Sequence, residues 1–427
     1  MRAPREIALR PRAGRDHGRE ETPATSLIAQ GHALQDLSIA LVHDWLITLG
    51  GADRVLLALH QLVPTAPVFV ALHDRQRLPE AFQGMDVHAS WLQRFPRGTS
   101  HHRHLLPLMP LAFRTLDLRG YKVVLSSSHA CAKGVRVDRD AVHICYCHTP
   151  MRYVWDLALL YRRALPPLLR PAATVLQAWL RGWDRRSARG VTHFIANSQF
   201  VAERIRRHYR RQSSVIYPPV DVDFFTPGER EIEDYFLVVS RLVPYKRVDL
   251  AVDAFNQLGY RLTIVGDGPE ASRLRAMARP NVTLVGEVTD EALRSYYRRC
   301  RALVFPGEED FGIVPVEAQA CGRPVIAYDT GGVRETVVDR RTGVLFPEQS
   351  SAALASAVRA FDPHAYDPVE IRRQAERFSV QTFQRQIGRF ISRVHQRATW
   401  LQWTDSATPA GDQGGLDGLH PDSAQGP

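Results

Sequence analysis

The stretch YPPVDVDFFTPGEREIEDYFLVVSRL, residues 217–242, divides the chain in two. Its first part carries Pro218, Pro219, Pro227 and Gly228 without any apolar period, which is the composition of a junction rather than of a helix or strand. It ends in FLVVSRL, a short apolar run of the kind that forms a buried strand. Beyond it, strand-like and helix-like segments alternate: VDLAVDAFNQL, RLTIVGDG, EASRLRAMA, VTLVGEV, DEALRSYYRRC, ALVFPG, GIVPVEAQACG and PVIAY. Such alternation predicts a parallel sheet flanked by helices.

The same alternation runs upstream from about Leu37, in IALVHDW, ADRVLLALHQLV, VFVAL, KVVLSSS, ICYCH and HFIANS. At 427 residues the chain exceeds one ordinary core. The expected fold is α/β, with two Rossmann-like parallel-sheet domains facing a central cleft: residues 37–217, a linker at 218–234, and residues 235–379. A last helix, 380–404, is long enough to pack back across a domain. Residues 1–36 are polar and Arg-rich and residues 405–427 are rich in Gly, Pro, Ser and Asp; both are expected to be disordered, because neither can bury enough to offset ordering.

Composition excludes several classes. Hydrophobic residues at 44% and charged residues at 23% fit a soluble globular protein and not a collagen or coiled coil. No run of 18 apolar residues and no secretory h-region occurs, so the expected location is the cytoplasm. Five cysteines, an odd number, agree with a reducing compartment and free thiols. Cys145 and Cys147 would share one face of a strand as buried thiols. The formal charge of +10 points to an anionic partner: a nucleic acid, an anionic membrane or a phosphorylated substrate. The arginines are scattered and no RRM, zinc-finger or base-stacking motif is present, so a nucleic-acid-binding protein is the weaker reading.

In open α/β sheets ligands bind at the carboxyl ends of strands, so the chemistry belongs in strand-to-helix loops. The loop after ALVFP, GEEDFGIVPVEAQACG (307–322), places Glu309 and Glu317 eight positions apart, with Gly312 at the helix start. The N–H groups of Phe311, Gly312 and Ile313 there suit a phosphate or a sugar hydroxyl. SRLVPYKR sets Arg241 and Lys246 five apart at another strand end. Only three of 55 basic residues are lysines (Lys122, Lys133, Lys246), so a lysine at 246 stands out. A fork-shaped guanidinium and a compact ammonium together suit two adjacent phosphates. Gly50 and Gly51 in ITLGGADRV, Gly266, Asp267 and Gly268 in IVGDGPE, and His148 in CYCHTPMRYVWD follow strands in the same way. Taken singly, each of these reads as a turn residue, a satisfied polar group or a surface charge rather than a ligand contact; it is their joint placement at strand ends that points to a site.

Two Asp pairs, Asp221/Asp223 and Asp138/Asp140, have the D-x-D form that can hold a metal-bound diphosphate. They fall in the linker and in a charged turn, and with Arg241 and Lys246 at hand no obligatory metal is expected. The histidines of HHRH (101–104) lack a carboxylate or ligand spacing and read as a solvated loop. In 167–190, Leu168, Val175, Trp179 and Trp183 fall near helical spacing with Arg181, Arg185, Arg186 and Arg189 close by. That pattern fits a core helix with a basic outer face, or a helix resting on an anionic bilayer.

The ordered set GGADRV, HTPMRYVWD, ANSQFVAERI, SRLVPYK, VGDGPE, EEDFGIVPVEAQACG and PVIAYDTGG resembles the retaining GT-B glycosyltransferases of family 4, from about Ser38 to Arg397. HTPMRYVWD and LVPYKR look most like a bacterial branch of GDP-mannose-using mannosyltransferases of O-antigen synthesis. The resemblance implies that Arg241 and Lys246 neutralise the donor diphosphate, that Glu317 binds the ribose, and that Glu309 holds hydroxyls of the donor sugar. It further implies that the amides of Phe311, Gly312, Ile313 and Val314 contact the sugar and β-phosphate, and that His148 approaches the transferred sugar. Gly50 and Gly51 would line the phosphate side, and the backbone of Gly286 to Val288 would meet the base. The implied donor is GDP-mannose and the implied acceptor a lipid-linked (polyprenyl diphosphate) or nascent glycan, met at the inner face of the cytoplasmic membrane. A nucleotide-sugar epimerase or hydrolase would keep the cleft and lack the acceptor. Lys133, before Gly134, would be a second anion contact from the first domain.

Overall fold

The computed structural model describes Leu34, residues 37–228 and residues 231–407, the last ten of these by backbone alone. The expectations for the two chain ends therefore lie outside the described residues, apart from Leu34 and residues 405–407, over which the last helix continues.

The first sheet contains β1 (Ile39–His43), β2 (Val68–Val70), β3 (Val87–Ala89), β4 (Val123–Ser128), β5 (Val142–Cys147), β6 (His193–Ala196) and β7 (Ser213–Val215). Its strands are all parallel, in the order β3-β2-β1-β4-β5-β6-β7. The second contains β8 (Phe236–Val239), β9 (Leu262–Val265), β10 (Val282–Gly286), β11 (Leu303–Phe305), β12 (Val325–Tyr328) and β13 (Gly343–Phe346), also all parallel, in the order β10-β9-β8-β11-β12-β13. Strand order reverses between β1 and β4 in one sheet and between β8 and β11 in the other. These are the switch points where diverging loops open a crevice. Two doubly wound α/β domains in this arrangement make a GT-B fold.

Seven helices shape the site: α1 (Gly51–Leu62), α2 (Ala158–Arg163), α3 (Arg170–Ser187), α4 (Gln199–Tyr209), α5 (Asp290–Arg299), α6 (Ile313–Ala320) and α7 (Val380–Ala407). Side chains alternate across a strand, so Ile39, Leu41 and His43 share one face of β1. Ile39 and Leu41 join Val55, Leu56 and Leu59 of α1 in one core cluster, and Leu125, Ile144 and Tyr146 complete it from β4 and β5. The other face, Ala40 and Val42, packs against Ala130, Cys131 and Ala132.

Helix α7 leaves the second domain and buries Phe383, Ile387 and Ile391 in the core of the first. The Phe383 ring meets Tyr146 edge-on at 5.7 Å. Each such side chain contributes on the order of 1.5–3 kcal/mol, so α7 ties the two domains together. The outgoing and returning segments run side by side: Val220 N–H donates to Phe378 O at 2.8 Å. Cys145 and Cys147 are buried in β5, and all five cysteines are free.

Candidate active site

Lys246 and Glu309 sit on the loops that follow β8 and β11, the two strands flanking the switch point of the second sheet. That topology brings the Lys246 ammonium against the Glu309 carboxylate. Gly307 makes the approach possible: a Cβ there would lie 2.7 Å from the Lys246 carbonyl oxygen. Gly331 seats the far side of the loop, with a positive φ and with room for a Cβ only 2.3 Å from Glu309 O. The backbone of Glu309 is held as well, its carbonyl accepting from Gly332 N–H at 2.9 Å.

The first domain closes over this pair. Arg152, four residues after His148, places Nη2 at 2.6 Å from Asp310 and 3.8 Å from Glu309. Arg204 on α4 is buried between Asp310 and Asp156. Ser198 Oγ donates to Asp310 O at 2.5 Å, and Glu335 of the second domain accepts from Gln199 and Phe200 N–H at 2.7 and 3.1 Å. Burial pulls the Lys246 ammonium down to about 7; Arg152 and Arg241 push the same way and Asp310 opposes them. Arg241 itself is exposed at the cleft.

Glu317 on α6 is buried. It accepts from Tyr297 Oη on α5 at 2.8 Å and lies 3.5 Å from Arg54 of α1. Arg54 also donates to both oxygens of Asp290 at 3.0 Å, so α1 of one domain grips α5 and α6 of the other. Burial raises the Glu317 carboxyl above its usual range, with Arg54 and the Tyr297 hydroxyl opposing. A groove of about 420 Å³ opens beside it, lined by Arg54, Asp290, Glu317, Pro219, Asp221 and Asp223 among others.

His148 lies one residue past β5, on the face that Tyr146 shares. Its Nε2 is 2.7 Å from Ser127 Oγ, whose other neighbour is His43 Nδ1 at 3.0 Å. Burial, then His129 and His43, hold the imidazole well below its usual pKa, which keeps it neutral. The adjacent Asp44 is buried and accepts from four backbone N–H groups, of His129, Ala130, Cys131 and Ala132, at 2.6–2.9 Å. Burial works against that carboxylate, yet His129, His43 and these amides keep its pKa low.

Gly50 precedes α1, and its N–H donates to Asp53 at 2.8 Å. Gly51 faces Ile313 of α6 so closely that a Cβ would lie 2.8 Å from its Cδ1. Gly266, Gly286 and Gly312 all adopt positive φ at the ends of β9, β10 and the β11 loop, with Asp267 exposed in its turn and Val288 partly buried. Phe311 packs against Tyr217 and Phe378, while Val314 is partly buried on α6.

One expectation is corrected. Lys133 is buried against Asp184, which also accepts from Trp155 Nε1 at 2.7 Å and Tyr209 Oη at 2.8 Å. A lysine so paired is a core tie, not an anion contact. Asp138 accepts from Gly120 N–H, Asp140 pairs with Lys122, and Asp221 accepts from Phe224 N–H, so these acids close turns or surface pairs. The His102 ring of HHRH lies tilted against Trp45, with centroids 5.2 Å apart. In the 167–190 segment Trp183 is buried, whereas Leu168, Val175 and Trp179 are exposed.

The geometry defines a two-domain protein with paired acid and base at an interdomain crevice, and the comparisons agree with its two-domain fold. Residues 220–364 match the family Glycosyl transferases group 1, and residues 49–224 match Glycosyltransferase Family 4. Among solved structures, Anabaena Alr3699/HepE in complex with UDP and glucose superposes with a TM-score of 0.64 at 20% identity, over 83% of this chain and 99% of that one. Sucrose-phosphate synthase from Thermosynechococcus elongatus gives 0.65 at 19% identity, over 84% and 100%.

Among curated relatives, D-inositol 3-phosphate glycosyltransferase of Mycobacteroides abscessus is 36% identical over 167 residues, 34% of this chain and 38% of that protein. D-rhamnosyltransferase WbpZ of Pseudomonas aeruginosa is 28% identical over 255 residues, 56% of this chain and 65% of that protein. The matched region thus spans under half the length of the first of these. The chain thus has a GT-B fold whose first domain matches Glycosyltransferase Family 4 and whose second matches Glycosyl transferases group 1.

Proposed function

We propose that this protein is a retaining glycosyltransferase that moves a hexose, mannose from GDP-mannose, onto a lipid-linked or nascent glycan during bacterial surface polysaccharide synthesis. The observation that carries the reading is the contact between Lys246 and Glu309 at the switch point, with Arg152 arriving from the opposite domain. Arg241 and Lys246 take up the charge that develops on the leaving diphosphate, which is where fixed cations act most strongly on a barrier. Glu309 holds donor-sugar hydroxyls, Glu317 the ribose, and the amides at the start of α6 the β-phosphate. No protein nucleophile is needed. Closure through Arg152, Arg204 and Asp310 excludes the water that would otherwise hydrolyse the donor.

The choice of mannose rests on the likeness of HTPMRYVWD and LVPYKR to that branch. For the acceptor side, the turn between α2 and α3 carries Leu168 at 90% exposure and Leu169 at 53%, and α3 carries Val175 at 72%, with Arg163 and Arg170 exposed at the two ends of the turn. Apolar tips among arginines suit an anionic lipid surface. No helix among the described residues is long and apolar enough to cross a membrane. The protein then works from the cytoplasmic side, on the inner face of the membrane.

The test is incubation of purified protein with radiolabelled GDP-mannose and a membrane extract. Label is expected in lipid or glycan. Label released only as free sugar would sink the transferase reading in favour of a hydrolase. Thermal shifts against GDP-, UDP- and ADP-sugars identify the base.

A further inference from the structure

We propose that Asp53, His43 and Ser127 form a buried relay that holds His148 in its Nε2–H tautomer, leaving Nδ1 as an acceptor for a hydroxyl of the donor sugar. This deepens the transferase reading and rests on it.

The relay follows from register. Paired residues of parallel strands put their side chains on the same face, and His43 pairs with Ser127, which pairs in turn with Tyr146. His148, two residues beyond Tyr146, returns to that face. Asp53, in the first turn of α1, stands over it. The contacts run Asp53 Oδ1 to His43 Nε2 at 3.2 Å, His43 Nδ1 to Ser127 Oγ at 3.0 Å, and Ser127 Oγ to His148 Nε2 at 2.7 Å. His43 and Ser127 are fully buried, and His148 keeps 9% exposure.

The proton positions follow one from another. The Asp53 carboxylate only accepts, so His43 carries its proton on Nε2 and presents a lone pair at Nδ1. Ser127 has a single hydroxyl proton and donates it there. Its oxygen is then left to accept, and the proton it accepts is that of His148 Nε2. His148 Nδ1 has no hydrogen-bond partner among the described residues and is the free acceptor. The other groups around His148 are His129, with ring centroids 6.3 Å apart and its Nδ1 3.1 Å from Asp44, and Tyr146 at 5.2 Å. Neither reaches the Ser127 oxygen. Asp53 spends its second oxygen on Gly50 N–H at 2.8 Å, so one carboxylate sets both the Gly50–Gly51 turn and the relay. Asp53, His43 and Ser127 are therefore positioning residues, while His148 meets the sugar.

The tautomer is read by 1H–15N correlation spectra of the full chain labelled at histidine, with His148 assigned by His148→Gln. The expected result is a single Nε2–H signature in the wild type that becomes a tautomer mixture in Ser127→Ala. An Nδ1–H signature or a mixture in the wild type would overturn the relay. Ser127→Ala is expected to lower kcat about tenfold to a hundredfold with donor KM nearly unchanged, as a misplaced contact does; an unchanged kcat overturns the positioning role. If Ser127→Ala does not fold, Asp53→Asn carries the same two measurements. The spectrum needs no turnover, so a wild type with the Nε2–H signature that is inert to every nucleotide sugar refutes the transferase reading and upholds the relay.

Discussion

The Lys246 ammonium touches the Glu309 carboxylate although the two residues belong to loops after different strands of the second sheet. In the proposed reading this half-buried, charge-matched pair receives an anion bearing hydroxyls, the ammonium facing the phosphate and the carboxylate the sugar. Lys246→Ala is expected to cost about 10²- to 10³-fold in kcat, the range for loss of one fixed charge-stabilising donor. Lys246→Arg keeps the charge but replaces a compact ammonium with a planar fork beside Gly307, and is also expected to lose most activity. Steady-state kinetics on variants with wild-type circular dichroism and melting settle both; full turnover by either would remove Lys246 from its role.

Donor affinity should depend on pH through the same lysine. Burial, Arg152 and Arg241 hold its pKa to about 7 while Asp310 opposes them, and the Glu309 contact favours the charged form. A bound diphosphate raises that pKa, so binding takes up a proton wherever the free protein has lost it. Affinity is therefore flat below about pH 7 and falls above it, by up to about tenfold per pH unit. The unliganded fold responds with the opposite sign: the unfolded chain binds the extra proton between about 7 and 10.5, so stability rises with pH across that window. Titration calorimetry in buffers of differing ionisation enthalpy should show proton uptake at pH 8 that vanishes in Lys246→Arg.

The fold was legible because strand and helix periods alternate without ambiguity on both sides of Pro218–Gly228. Lys246 and Glu309 were legible because they sit in loops at strand ends, and Glu317 because it follows Glu309 by eight positions on the helix that the loop enters. What closes the cleft was not. Arg54, Arg152 and Arg204 look like any of the many arginines until the second domain supplies Asp290, Asp310 and Glu317 across the crevice. The signal was there in part, since Arg152 lies four residues past His148 in a quoted motif, but its partner is distant in sequence. Lys133 misled for the same reason: its partner Asp184 comes from α3. His43 and Ser127 could be joined only once the β1–β4 register was known.

Asp310 anchors the closed arrangement. It binds Arg152 and Arg204 with its two oxygens, and Arg204 is only 5% exposed. Removing one partner of a buried pair leaves an uncompensated charge, at about 3–5 kcal/mol. Asp310→Ala should therefore lower the melting temperature by several degrees and speed proteolysis at the 216–220 crossing. Unchanged melting and cleavage would show that the bridge does not hold the domains.

Glu317 is buried with Tyr297 and Arg54 already bound to it. As the ribose ligand it exchanges part of that shell for two sugar hydroxyls. Glu317→Gln keeps the shape and removes the charge, and is expected to weaken nucleotide binding about tenfold or more, because hydrogen bonds to a charged group contribute about 1.5–3 kcal/mol. Arg54→Ala frees Glu317 and unlatches Asp290, so donor binding should lose less in this variant than in Glu317→Gln. Calorimetry with the free nucleoside diphosphate measures both, and equal affinity in wild type and Glu317→Gln would remove the ribose role.

The exposed turn between α2 and α3, continued by Val175 on α3, makes the membrane reading measurable without knowing the acceptor. Leu168, Leu169 and Val175 contribute apolar area to a bilayer only if they enter it, and each nearby arginine adds about 1 kcal/mol at an anionic surface. The protein should float with vesicles containing phosphatidylglycerol and stay behind with pure phosphatidylcholine, and the bound fraction should fall as salt rises. Leu168→Glu with Val175→Glu changes side chains that are 90% and 72% exposed, so folding and turnover of a water-soluble acceptor should survive while flotation is lost. Flotation that persists in this double variant would place the lipid contact on another face.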